Sequence, residues 1–303
     1  MTWCAPYLGL LLPFLCVVVW GGGVSAFRIC AYNVQKLDSK TASNYRVLHT
    51  LTRIASRCDI TLIQEVMASD GSFVNTLLAS LNRYSERLYA CSTFAFGATC
   101  LNFRLAGKIK GMKVTTTTSC PAPVWESLLM TCGTMSSSIA IKNIVLVGLH
   151  ADPSSAIQEM DHLYDVFKQV LNKWNNKNVM FLGSFHAGCA HMTRPDKKNI
   201  RLFTNSSFFW LIGDKIDTTI MDETSCAYDR IVVYGKSFLK AITPFSANVF
   251  NFAKEFKLTK TTALQVSNHF PVEVMLKNSA QLLQAMPPLL LLTVTLRCFL
   301  AYL

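Results

Sequence analysis

The sequence predicts an α/β protein with sheets inside and helices outside. Short apolar runs alternate with amphipathic segments between residues 27 and 277, and several runs are continuously apolar, which is typical of strands covered on both faces. The segment 155–174 repeats apolar side chains every three or four residues, which predicts a helix packed against a sheet. This order of elements favours one α/β domain over residues 27–277.

Six segments are predicted as strands and three as helices. The strand segments are 27–33, 59–65, 139–150, 178–183, 229–234 and 271–276, and the helix segments are 41–57, 71–82 and 155–174. Functional residues of α/β folds gather where strands end and loops begin. Polar side chains occupy those places here, and they are Asn33, Glu65, His150, Ser184, His186, Asp229 and His269.

The charge of the chain limits the classes of partner. The 303 residues carry a formal net charge of +11, and residues 1–26 contain no Lys, Arg, Asp or Glu, so the basic excess belongs to the rest of the chain. A basic surface suits DNA, RNA or an anionic membrane. The alternative is a solvated basic face without a specific partner.

Both ends of the chain are apolar. Residues 8–20 form a short apolar core followed by Val24-Ser25-Ala26, which predicts a cleaved signal peptide over 1–26. The tail 278–303 places small residues and a spacer before an apolar run, an order similar to a GPI-attachment signal, although Arg297 interrupts the run. We therefore expect a secreted or surface-anchored protein, with a membrane anchor and plain secretion both open.

The cysteine content agrees with that route. Of eleven cysteines, eight remain when both terminal segments are set aside, and an even set in a secreted chain indicates disulfides. These eight are Cys30, Cys58, Cys91, Cys100, Cys120, Cys132, Cys189 and Cys226. Cys30 and Cys58 lie in strand-like apolar segments, so buried thiols are an alternative for them.

Two motifs carry a family resemblance. Residues 183–189 read GSFHAGC and residues 267–274 read SNHFPVEV. They resemble the active-site strand ends of the deoxyribonuclease I family, whose pattern is G-D-F-N-A-D-C and S-D-H-Y-P-V-E-V. The segments FRICAYNVQ, RCDITLIQEV and CAYDRIVV support the resemblance in colinear order, and the apolar tail is most similar to the membrane-anchored branch of the family.

The resemblance implies a fold and an activity. The fold would be a four-layer α/β sandwich of two packed sheets flanked by helices. The activity would be hydrolysis of DNA phosphodiesters with Mg²⁺ and Ca²⁺ by a monomer that contacts DNA phosphates. A water must be activated, the phosphate stabilised and the leaving oxygen protonated, which suits paired histidines and acids with a metal carboxylate.

The resemblance also assigns roles to five residues. His150 and His269 match the two catalytic histidines, and Asp229 matches an aspartate that orients a histidine. Glu65 matches a metal-binding glutamate, and Asn33 matches an asparagine that helps to position metal or phosphate. A buried glutamate needs a cation partner; the alternative is a glutamate at an exposed strand end. Cys189 and Cys226 match the family's disulfide, and Cys120–Cys132 and Cys91–Cys100 are further candidate pairs.

Four positions depart from the family pattern. Ser184 and Asn268 stand where the family has aspartates, His186 stands where it has an asparagine, and Gly97 falls where it has the glutamate partner of the first histidine. A catalytic histidine needs a carboxylate to fix its tautomer, so we expect weak or lost hydrolysis. An inactive family member that binds nucleic acid or protein is the alternative.

His186 also suggests a different metal. A histidine suits a softer ion such as Zn²⁺ better than the family's ions. The sequence shows no second new ligand beside it.

Overall fold

Two mixed sheets of six strands each form the centre of the described structure. The computed structural model describes residues 27–67, 72–85, 89–94, 99–104, 113–116, 128–132, 139–141, 143–221 and 225–279. One sheet has the order β11-β12-β1-β2-β4-β3, and the other has the order β5-β6-β7-β8-β10-β9. The strands are β1 (Phe27–Leu37), β2 (Ile60–Val66), β3 (Tyr89–Phe94), β4 (Thr99–Arg104), β5 (Lys113–Thr116), β6 (Leu128–Cys132), β7 (Ile144–His150), β8 (Val179–Ser184), β9 (Phe208–Trp210), β10 (Asp229–Tyr234), β11 (Asn248–Val249) and β12 (Val272–Leu276).

Helices cover the outer faces of both sheets. They are α1 (Ser39–Ala42), α2 (Tyr45–Ala55), α3 (Ser72–Tyr84), α4 (Ala156–Trp174), α5 (Arg201–Thr204), α6 (Lys236–Ala241), α7 (Phe252–Glu255) and α8 (Lys260–Leu264). Among the described residues, none of these helices has the length and apolarity that a membrane crossing needs.

Three apolar clusters define the layers. Ile29 and Ile60 of one sheet pack with Leu146 and Leu182 of the other, so the inner faces of the sheets meet. A second cluster joins β1 and β2 to α2 and α3, and a third joins β7 and β8 to α4. Because each apolar strand run is buried on two sides, the order of layers is helix, sheet, sheet, helix. The expected four-layer sandwich is confirmed.

The predicted first residue was wrong for one strand and one helix. The strand expected over 139–150 begins at Ile144, because Ile139 forms only an isolated bridge to Asn278 and Ala140 N donates to the Lys277 carbonyl at 3.0 Å. The helix expected over 41–57 is split, because the Asn44 side chain accepts a hydrogen bond from Arg46 N at 2.9 Å and caps a new helix, α2. The predicted helices over 71–82 and 155–174 correspond to α3 and α4.

Two disulfides lie among the described residues. Cys189–Cys226 is confirmed, and Cys30 and Cys58 are paired with each other, so the alternative of buried thiols for them was wrong. The side chains of Cys91, Cys100 and Cys132 are outside the described structure. Gly97, Cys120, the signal segment 1–26 and residues 280–303 lie wholly outside it.

The topology brings six strand ends to one edge of the sandwich. The strands β1 and β2 are parallel and end there, as do the parallel strands β7 and β8. Since β12 is antiparallel to β1 and β10 is antiparallel to β8, these two strands begin at the same edge. We call this edge the strand-end site.

Candidate functional site

Glu65 is the centre of one hydrogen-bonded cluster at the strand-end site. Its Oε1 accepts from Asn33 Nδ2 at 2.7 Å and from His150 Nε2 at 2.8 Å, and its Oε2 accepts from Lys36 N at 3.0 Å. Burial acts to raise the pKa of the Glu65 carboxyl, but the hydrogen bonds from His150 and Asn33 together outweigh it and lower the pKa to about 2. Glu65 is therefore ionised at neutral pH and pairs with His150.

A change of backbone geometry in both strands makes this cluster possible. The pairing of β1 with β2 shifts between Asn33 and Leu37, and the backbone of Lys36 in the shifted segment has a φ of +51°. This irregularity turns Lys36 N toward Glu65 instead of leaving it in the ladder. Glu65 itself has a φ of +61°, so its backbone is also left-handed.

His269 and Asp229 form a second pair. His269 Nδ1 donates to Asp229 Oδ2 at 2.6 Å, and both residues are buried. His269 N donates to Ser267 Oγ, which in turn donates to the Asn33 carbonyl at 2.7 Å, so this histidine is tied to β1. Burial acts to lower the pKa of His269, but the charge and hydrogen bond of Asp229 outweigh it and raise the pKa above its usual value. The hydrogen bond fixes the orientation of the His269 ring, and the catalytic role of the pair stays a prediction.

A buried glutamine holds the two sheets in position behind these pairs. Gln64 Nε2 donates to the Leu149 carbonyl at 2.8 Å, and Gln64 Oε1 accepts from Ser184 N at 3.0 Å. Gly183 leaves room for it, since a Cβ there would lie 2.3 Å from the Leu149 oxygen and 2.7 Å from Gln64 Nε2. Sequence reasoning missed Gln64, although its place before Glu65 was a usable signal.

The positions that lack family carboxylates contain unpaired polar atoms. The Oγ of Ser184 and the Oδ1 of Asn268 are buried and have no hydrogen-bond partner among the described residues. Ser184 is opposite His150 on β7 and opposite Asp229 on β10, so the three side chains share one face. A buried polar atom without a partner is costly, and here two such atoms lie where the family pattern has negative charge.

His186 lies in the middle of a histidine cluster. Its Nδ1 is 2.8 Å from the Ala151 carbonyl, and its backbone has a φ of +49°. The ring centre of His186 is 5.5 Å from that of His191, 6.1 Å from that of His150 and 6.4 Å from that of His269. Burial lowers the pKa of His186 to about 4, against the opposing hydrogen bond to Ala151. His186 is therefore a neutral imidazole at pH 7.

The strand-end site is a poor match for a resident Mg²⁺ or Ca²⁺. Such ions prefer several oxygen ligands, but Asp229 is hydrogen-bonded to His269 and Glu65 already accepts three hydrogen bonds. The described residues do place Cys30, Cys58 and Glu273 together, but both sulfurs are in a disulfide and cannot act as thiolate ligands. The residues do not fit the ions that the family resemblance implied. The metal role of Glu65 and Asn33 stays a prediction.

The structure brings together most of the predicted site residues. Asn33, Glu65, His150, Ser184, His186, Asp229 and His269 all lie at the strand-end site. Asn268 directly precedes His269, and Gly97 lies outside the described residues. Sequence reasoning missed Ser267 and His191, because neither shows a periodic pattern that marks it.

Comparisons with known proteins show which families the chain resembles. The pattern of the Endonuclease/Exonuclease/phosphatase family matches residues 30–249. Human deoxyribonuclease gamma is 34% identical over 89% of this chain and 92% of its own length, and mouse deoxyribonuclease-1-like 2 is 38% identical over 86% and 96%.

A solved structure also shares the fold. Danio rerio TDP2, complexed with a single-strand DNA product, superposes with a TM-score of 0.57 at 15% identity. The match covers 83% of this chain and 98% of that protein, and at this identity it supports the fold alone.

Proposed function

The chain belongs to the Endonuclease/Exonuclease/phosphatase family and, within it, to the deoxyribonuclease I family, and we propose that its hydrolysis of DNA phosphodiesters is severely reduced. One observation carries the proposal. Both histidine pairs of the strand-end site are in place, but the two positions that lack the family's aspartates hold unpaired neutral atoms, Ser184 Oγ and Asn268 Oδ1.

The remaining groups support only part of a hydrolytic mechanism. His269, oriented through Nδ1 by Asp229, has its Nε2 left to exchange a proton with a water or a leaving oxygen. His150 bonds Glu65 through Nε2, which leaves Nδ1 as its other ring nitrogen. Both histidines keep a carboxylate partner, so the departures from the family pattern among the described residues lie at Ser184, His186 and Asn268.

The expected loss of rate follows from the missing partners. Gly97 stands where the family pattern has a glutamate that orients the first histidine, and removing such an acid costs about 10⁴-fold. Each lost outer partner of a metal ligand costs about 10–100-fold. These losses are not additive within one site. We expect restoration of both aspartates to raise the rate by about 10²-fold or more.

Plasmid nicking tests the proposal. The protein, expressed in eukaryotic cells, is assayed with Mg²⁺ and Ca²⁺ beside His150→Ala and the double variant Ser184→Asp/Asn268→Asp. We expect trace nicking by the native protein and a clear gain in the double variant. Rapid native nicking that disappears in His150→Ala would overturn the proposal, because the present residues would then suffice.

The net charge supports a second candidate, a family member that binds DNA without cleaving it. A charge of +11 favours contacts to phosphates, and such contacts are independent of sequence. Filter binding to duplex DNA at several salt concentrations measures the phosphate contacts. The logarithm of the binding constant should fall linearly with the logarithm of the salt concentration. Absence of DNA binding at low salt would exclude this candidate.

We also propose secretion with a lipid anchor at the C-terminus. The two disulfides, Cys30–Cys58 and Cys189–Cys226, suit an oxidising compartment, and the apolar tail suits removal at an attachment site. Expression in animal cells followed by phosphatidylinositol-specific phospholipase C tests this. Release of the protein from the cell surface by the enzyme is expected, and free protein in the medium without treatment would argue against the anchor.

A further inference from the structure

His186 carries its ring proton on Nδ1 and a lone pair on Nε2. The Ala151 carbonyl can only accept a hydrogen bond, so the Nδ1 atom 2.8 Å from it carries the ring proton. Nε2 of the neutral ring is then an acceptor. Histidines that bind metals commonly donate their other ring N–H to a backbone carbonyl in this way, which fixes the tautomer and the ring orientation.

His191 supplies a second imidazole at a suitable distance. The ring centres of His186 and His191 are 5.5 Å apart and the rings are nearly perpendicular, at 84°. Two imidazoles on one tetrahedral ion, at Zn–N distances of about 2.0–2.1 Å, have ring centres about 5–6 Å apart. The separation of this pair is therefore that of two ligands of one ion.

The position of His191 is fixed by covalent and aromatic contacts. It ends the short helical turn Cys189–His191, and the Cys189–Cys226 disulfide ties that turn to the strand that begins at Asp229. The Tyr228 ring lies 5.2 Å from the His186 ring and 5.5 Å from the His191 ring, so it packs against both. These contacts hold the two imidazoles at this separation.

We propose that His186 and His191 form a binding site for a borderline-soft divalent ion such as Zn²⁺, with water completing the coordination. Imidazole nitrogen suits Zn²⁺, Cu²⁺ and Ni²⁺, whereas Mg²⁺ and Ca²⁺ prefer oxygen. Four of the six histidines of the chain surround this point. The proposal depends on the fold and not on whether the protein cleaves DNA.

Calorimetric titration of the full chain with Zn²⁺, in buffer with excess Mg²⁺, tests the proposal. His186→Asn and His191→Gln each remove one nitrogen ligand, and His162→Asn is the matched control because His162 is exposed on α4. We expect one Zn²⁺ per chain, at least about tenfold weaker binding in the first two variants, and native affinity in the control.

Two outcomes would overturn the proposal. One is native Zn²⁺ affinity in His186→Asn. The other is native Zn²⁺ affinity in His191→Gln. Loss of Zn²⁺ binding in Glu65→Gln in either case would place the ion on the carboxylate. Thermal melting without metal checks that each variant is folded.

A measurement on the native protein covers the case in which a variant fails to fold. Electron paramagnetic resonance of the full chain with one equivalent of Cu²⁺ reports nitrogen ligands directly. Coupling to two imidazole nitrogens is expected, and a spectrum with oxygen ligands alone would contradict the proposal.

Discussion

The substitution Ser184→Asp places a carboxylate at a fully buried position. The Ser184 side chain is 0% exposed, and its neighbours in register are His150 and Asp229. An uncompensated buried charge costs about 3–5 kcal/mol, and the charge of Asp229 on the same face adds repulsion. Without a divalent ion, we therefore expect this variant to lose about 3 kcal/mol of its free energy of unfolding.

Thermal unfolding in EDTA and in Mg²⁺ measures this effect. A loss of 1 kcal/mol lowers the Tm of a domain of 150–250 residues by about 2–4 °C, so Ser184→Asp should melt about 6–12 °C below the native protein in EDTA. Added Mg²⁺ should return most of this stability, because an ion at 100 times its Kd stabilises the folded state by about 2.7 kcal/mol. Ser184→Asn is the matched control, since it has nearly the same size without the charge.

Two results would refute the reasoning. Equal Tm values for Ser184→Asp and Ser184→Asn in EDTA would show that a charge at this position is not costly. An equal gain from Mg²⁺ in both variants would show that the side chain at position 184 does not face a cation site. In either case Ser184 would not explain reduced hydrolysis.

Three further substitutions test other parts of the structure. The pKa of His186 is about 4 against an ordinary 6.5. As the pH falls from 6.5 to 4, His186 becomes protonated in the unfolded chain but stays neutral in the native protein. The free energy of unfolding therefore falls over this range. From pH 7 to pH 4, the free energy of urea unfolding of metal-free His186→Asn should fall by about 3 kcal/mol less than that of the native protein. The same dependence on pH in both proteins would contradict this. Gly183→Ala brings a Cβ to 2.3 Å from the Leu149 oxygen at a φ of +128°, so it should destabilise by more than about 2 kcal/mol. The control Gly235→Ala, with a φ of +82° and open space, should lose about 1 kcal/mol, and equal Tm shifts would argue against the tight contact. Arg230→Met leaves three buried carbonyl oxygens without their donor and should lower the free energy of unfolding in urea by about 3–5 kcal/mol, whereas a native free energy would contradict that role.

Local pattern was enough to predict sheets inside and helices outside, whereas the four-layer order was implied by the family resemblance. The apolar stripe of α4 and the continuous apolar run of β8 depend only on residue spacing, and both elements lie within one residue of their predicted bounds. The strand-end residues were also predictable, because polar residues after buried strands meet at one edge. Boundaries set by a single cap, such as Asn44, were not predictable from periodicity.

Contacts between distant segments could not be predicted from the sequence. Cys30 and Cys58 have the apolar surroundings of buried thiols, and only the register of β1 with β2 brings their sulfurs together. The role of Gln64 depends on how one sheet packs on the other. The approach of His191 to His186 depends on a turn fixed by the Cys189–Cys226 disulfide.

The left-handed backbone at Glu65 and His186 has a consequence for engineering. A side chain in this conformation costs about 1–2 kcal/mol that glycine does not, and the three hydrogen bonds of Glu65 offset part of its cost. Selection for heat resistance alone is therefore expected to accept glycine or asparagine at both positions. Such a thermostable descendant would keep the four layers and lose the strand-end site, so heat resistance is a poor guide when choosing variants for biochemical work.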